Sequence, residues 1–268
     1  MRFRIHLHLR NPKFKTIPIN YQYELSSFIY KTIANGDQNY ANWLHQNGFN
    51  IEGKQFRLFT FSNFNIPKFT IDKLNFRIII HSDSISFDIS FLPERSTEEF
   101  VKGIFTNQDF SIGDMKSLAE FSIRNIELLS QPDFTKPLVG KSISPICITN
   151  RIEIGKRDYI APDDPIAPDL LKNNLLNKYL AFYGKEYNGD LFFAWKATNS
   201  KSKLISIKSD TPQQTKIRGF NCNFSLFTIP ELMKIAYHAG IGEKNSMGFG
   251  MIEIGHRAYS RTNPNFFE

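Results

Sequence analysis

Cysteine is nearly absent. Cys147 and Cys222 are the only two among 268 residues, and they form no CxxC pair. A disulfide framework and a thiolate zinc site are therefore excluded, and buried free thiols in a reducing compartment are expected. The histidines His6, His8, His45, His81, His238 and His256 are scattered, without HExxH or Cys/His ligand spacing, so no metal site is expected. No continuous apolar run is long enough to span a membrane. The opening MRFRIHLHLRNP interleaves charge with apolar residues, unlike a signal peptide. A soluble cytoplasmic protein is expected. Low-complexity segments and residue-level repeats are also missing.

Hydrophobic residues at 41% and charged residues at 22% suit a globular chain with a sizeable core. The length fits one large domain or two of ordinary size. Thirty-three Lys and Arg against 26 Asp and Glu leave a net charge of +7, which favours a polyanionic partner.

Arg2 to Leu9 alternates apolar and polar residues and predicts a half-buried strand. Its basic face suits RNA contact or protection of a sheet edge. Asn20 is placed to cap a helix reaching about Asn35, and Asp37 to cap a short one from Gln38 to Gln46. Strands are predicted over Gln55–Phe61, Asn75–His81 and Ser84–Leu92, and a helix over Thr97–Phe105 with Phe100, Val101, Ile104 and Phe105 inward. Further strands follow at Asp109–Ile112 and Lys116–Leu129. After a polar, proline-containing stretch at Gln131–Pro137 the order repeats. Ser142–Thr149 predicts a strand, Asp169–Tyr183 a helix, and Leu191–Thr198, Lys203–Lys208 and Lys216–Phe227 strands. Pro230–Ala239 predicts a helix and Phe249–Ile254 a last strand. The expectation is an α+β protein of two tandem ferredoxin-like (RRM-like) βαββαβ domains, residues 1–133 and 134–268.

Lys196 to Arg218 carries Lys201, Lys203, Lys208, Lys216 and Arg218 against one acid, Asp210. It reads as a hairpin offering cations to a phosphate backbone. Between the last helix and last strand lies Gly240-Ile-Gly-Glu-Lys-Asn-Ser-Met-Gly-Phe-Gly250, with four of the chain's fifteen glycines. Gly242, Lys244, Asn245 and Ser246 could cradle a phosphate there. The same glycines also suit a plain helix-to-strand corner.

The run GIGEKNSMGFG resembles the C-terminal glycine-rich loop of the CRISPR-associated endoribonucleases that process precursor CRISPR RNA, within the repeat-associated RNA-binding Cas superfamily. The resemblance extends to Asn20–Tyr30, Trp43-Leu-His45 and Arg57–Ser62, and covers most of the chain. It implies two ferredoxin-like domains, with Tyr30 and His45 at the catalytic tyrosine and histidine positions. Lys54 is the favoured catalytic cation and Arg57 the alternative. His45 near a helix C-terminus, where imidazolium is favoured, suits a proton donor. The implied reaction is metal-independent, sequence-specific cleavage of CRISPR repeat RNA. A 2′-hydroxyl attacks the adjacent phosphorus, leaving a mature crRNA with 2′,3′-cyclic phosphate and 5′-hydroxyl ends, and no cofactor is involved. The alternative is a catalytically silent crRNA-binding subunit. Repeat RNA, crRNA and other Cas effector subunits are the implied partners, with monomer and homodimer both open.

Overall fold

The computed structural model describes residues 1–153, 156–209 and 211–255, the side chains of 151–157 excepted. Asp210 and His256 lie outside the described residues. In the first half, β1 (Arg2–Leu9), β5 (Phe59–Phe61), β8 (Ser84–Phe91), β9 (Asp109–Gly113) and β10 (Leu118–Leu128) form one sheet in the order β5-β8-β1-β10-β9. Helices α1 (Gln22–Gly36), α2 (Gln38–Gln46) and α3 (Glu94–Thr106) belong to this half. Three small strands β2 (Thr16–Pro18), β6 (Phe69–Asp72) and β7 (Arg77–Ile80) make a side sheet, and β3 (Phe49–Ile51) pairs with β4 (Lys54–Phe56).

The second half has β11 (Leu138–Ser142), β12 (Thr149–Glu153), β13 (Lys156–Tyr159), α4 (Ala167–Tyr183), β14 (Phe193–Ile207), β15 (Thr215–Thr228), α5 (Pro230–Ala239) and β16 (Ile252–Ile254). Its sheet runs β14-β15-β11-β16. Taken as the four strands of a βαββαβ unit, both sheets read 2-3-1-4, with β9 added at the first sheet's edge. The two ferredoxin-like units expected from the element order are therefore present.

Sequence expectations fail where a single residue redirects the backbone. Leu58 takes φ 53° and splits the expected Gln55–Phe61 strand into β4 and β5. Asn199 at φ 58° absorbs a bulge, so the two strands expected over 191–208 are one long β14. Asn20 caps nothing, since α1 starts after Tyr21 without a side-chain cap, whereas Asp37 accepts from the Tyr40 amide at 2.9 Å as expected. Phe105 points outward, 75% exposed. Pro145 follows a strand that ends at Ser142 rather than Thr149. β1 is the centre of its sheet, not an edge. Its basic face is partly paired, Arg4 to Asp88 at 2.8 Å and His6 to Glu127 at 3.3 Å.

Apolar residues from β1, α1, β5, β8, α3 and β10 fill the first core, and those from α4, α5, β11 and β15 the second. Buried polar side chains lock the halves together. Arg2, buried, donates to the carbonyls of Tyr237 and Ile252 and lies 3.5 Å above the Tyr237 ring. His238 Nδ1 meets Ser90 Oγ at 2.9 Å. Cys147 and Cys222 are both buried, as expected.

Candidate active site

Helix α1 presents Tyr23, Ser26, Ser27 and Tyr30 to a cleft of about 1030 Å³ between the halves. Seven residues make about two helical turns, which puts Tyr23 and Tyr30 on one face. The last turn of α2 adds His45, and the β3–β4 hairpin and its exit add Lys54, Gln55 and Arg57. The second half supplies α4 and the glycine-rich loop.

Tyr30 and His45 meet edge to face with ring centroids 5.0 Å apart, and Phe59 backs the tyrosine at 5.6 Å. The pairing follows from chain geometry. Asp37 starts α2 directly after α1, folding His45 back along the first helix. Arg57 reaches the same point, donating to the His45 backbone carbonyl and so capping α2 from the next hairpin. Burial raises the Tyr30 phenol above its usual range. The nearby Arg57 charge and hydrogen bonds from Ser246 and Arg57 work in the opposite direction. Lys54, exposed on β4, lines the same cleft without an observed bond to Tyr30.

The glycine-rich loop is built by its backbone. Gly248, at φ 86°, lies so close to Phe61 that a Cβ would come within 2.9 Å of its ring. Gly242, at φ 72°, leaves 2.3 Å between such a Cβ and the Cys147 carbonyl. Thr60 Oγ1 donates to the Phe249 carbonyl at 3.0 Å and Ser26 Oγ to that of Ser246 at 2.7 Å, seating the loop on the first half. Asn245 is spent inside the loop, its amide donating to Ile241 at 3.2 Å and Phe249 at 3.1 Å. Gly242 is buried, so Lys244, exposed, and Ser246 are the loop groups best placed to meet a ligand.

Beneath the loop lies a residue that sequence reasoning missed. Lys178, 2% exposed, donates to Gly240 O at 2.7 Å, Gly242 O at 2.8 Å and Asn245 Oδ1 at 2.8 Å. Three ammonium protons thus meet three acceptors. Burial pulls this lysine down to about 7, and the charge of Glu243 opposes the fall. Its signal was a lysine three residues after Leu175 and seven after Leu171, inside the apolar stripe of α4.

The basic hairpin does not present one cationic face. Lys203 pairs with Gly219 and Lys201 with Asn221, on the side of buried Ile205 and Ile217; burial lowers Lys203. Lys216 and Arg218 lie on the other side, and Lys216 lines a second groove near Phe76 and Lys13. Of the five cations only Lys208 reaches the cleft, with Nζ 5.5 Å from the Tyr23 ring centre. Among the described residues no three His, Cys, Asp or Glu side chains converge as a metal ligand set.

Residues 16–126 match the family model for the CRISPR-associated protein Cas6 N-terminal domain, and residues 129–254 that for the Cas6 C-terminal domain. The chain is 33% identical over 252 residues to the CRISPR-associated endoribonuclease Cas6 1 of Methanocaldococcus jannaschii, covering 93% of this chain and 91% of that protein. The CRISPR-associated endoribonuclease Cas6 of Pyrococcus furiosus is 28% identical over 238 residues, 89% of this chain and 83% of that one. Among solved structures, a Cas6-related protein from Pyrococcus furiosus superposes with TM-score 0.80 at 26% identity, covering 96% of this chain and 99% of its own. Matches over both halves, at the level of sequence and of fold, place the chain in the Cas6 family of CRISPR-associated proteins.

Proposed function

We propose that this Cas6 protein cleaves CRISPR repeat RNA at the junction of Tyr30, His45 and Arg57. The convergence of these three side chains, beside Ser246 of the glycine-rich loop, carries the proposal. Bound across the cleft, a repeat strand places one 2′-hydroxyl against Tyr30. The raised phenol stays protonated at neutral pH, so Tyr30 orients that hydroxyl rather than deprotonating it, and the proton leaves to water in the cleft. The 2′-oxygen bonds to phosphorus while the bond from phosphorus to the 5′-oxygen breaks. His45 donates a proton to the departing oxygen. Arg57 stabilises charge growing on the phosphoryl oxygens and is the better-placed cation, since it touches both Tyr30 and the His45 backbone; Lys54 serves the backbone further out. Lys208 and Lys244 hold flanking phosphates. The nucleophile comes from the substrate, so no metal-bound water is called for.

The test is incubation of the wild type and His45→Ala with the repeat RNA encoded beside its gene, in EDTA. Expected are 2′,3′-cyclic phosphate and 5′-hydroxyl ends from the wild type. In the variant, cleavage slows about a hundredfold with repeat binding retained, the scale of a lost general acid. Dependence on a divalent ion, or 3′-hydroxyl ends, would refute the mechanism. Binding without scission by the wild type would establish the silent alternative.

A further inference from the structure

We propose that the asparagine face of α4 reads a nucleobase edge close to the scissile phosphate, with adenine as the preferred base. The inference rests on the RNA-cleaving function proposed above and names what gives it sequence preference.

Asn173, Asn174 and Asn177 project from α4 into the lining of the same cleft as Tyr30 and His45, joined by Asn150. Residues three and four apart share a helix face, so the three amides form one patch. None makes an observed side-chain hydrogen bond, and Asn174 Oδ1 is buried without a partner. A buried amide oxygen left unsatisfied is costly, and such a group inside a cleft calls for a donor from a ligand.

The charge layout says what that ligand is. Both lysines of α4 are committed, Lys172 to Asp169 at 2.8 Å and Lys178 to the glycine-rich loop. The helix therefore offers the cleft neutral groups that both donate and accept. The cations Lys54, Arg57, Lys208 and Lys244 come instead from the hairpins and the loop. Cations position phosphates; amides read base edges, and an asparagine side chain pairs bidentately with adenine N6 and N7. Sequence-specific RNA recognition targets unstacked bases. A cleft of about 1030 Å³ lies at the upper end for small-ligand sites, leaving room for a splayed base beside the reacting phosphate.

The experiment measures single-turnover cleavage of repeat RNAs in which each nucleotide flanking the cut is changed in turn to the other three. The wild type is compared with an Asn173→Ala/Asn177→Ala double variant, both sites being at least partly exposed. Expected is an adenine preference at one flanking position in the wild type, reduced about tenfold or more in the variant, the scale of one bidentate amide–base pair. The salt slope of binding should stay unchanged, because no charge is removed. Asn174→Leu adds an independent check: it should unfold at higher temperature while losing the same preference. An unaltered base profile in both variants, or a uniform loss with a shallower salt slope, overturns the proposal and leaves cleavage itself intact. A wild type that does not cut is instead the failure of the proposed function.

Discussion

Lys178→Met removes one charge and three hydrogen bonds and shortens the side chain by only the terminal nitrogen. Burial draws the ammonium from 10.5 down to about 7, a cost of about 5 kcal/mol at ~1.4 kcal/mol per tenfold. Its three bonds to Gly240, Gly242 and Asn245 involve a charged donor. At about 1.5–3 kcal/mol each they contribute roughly 5–9 kcal/mol. The two sums nearly cancel and leave a net loss of about 2 kcal/mol, a fall of about 4–8 °C in Tm. Cleavage should suffer far more. The three freed acceptors all belong to the loop that carries Ser246 to Tyr30, and a shift of about 1 Å there costs about a hundredfold in rate. The assay is single-turnover cleavage of repeat RNA well below the variant's Tm, with binding titrated in parallel. Wild-type cleavage alongside a lowered Tm would show that Lys178 only supports the fold. A collapse in Tm would show that the near-cancellation is wrong.

Two further outcomes follow from the geometry. Arg57→Ala should slow cleavage about a hundredfold or more, the effect of losing one stabilising donor, whereas Lys54→Ala should cost less than about tenfold; the opposite ranking would return the catalytic role to Lys54. His238 is held at about 2, chiefly by burial and then by the nearby amino terminus, Arg2 and Lys234. Its folded value lies below the unfolded 6.5, so its contribution is complete above pH 6.5 and is lost as pH falls towards 2. From pH 7 to pH 5 the loss is about 2 kcal/mol. Urea unfolding at the two pH values should show that difference shrink in His238→Phe, and parallel losses in both proteins would exclude His238 as the cause.

Periodicity was enough for β1, α1 and α2, because their apolar stripes face one core and little competes with that pattern; α5, buried on nearly every side, was delimited instead by Pro230 in its first turn and Gly240 after its end. Boundaries failed where one residue's backbone conformation decided them, as at Leu58 and Asn199, since left-handed φ at a non-glycine residue leaves no periodic trace. The Tyr30 and His45 candidates came from motif resemblance, and composition alone would have left both as ordinary helix residues. Asn245 looked like a free donor, but its amide closes the loop it belongs to. Arg2 read as part of a basic strand face and Lys178 went unnoticed, because charge usually is solvated; only their tertiary partners show otherwise.

Thr60 and Phe249 are 189 positions apart, yet one hydroxyl joins them. The loop encoded by the last quarter of the chain therefore rests on a ledge encoded by the first. Chimeras assembled from halves of different relatives should therefore keep activity best when ledge and loop come from the same parent.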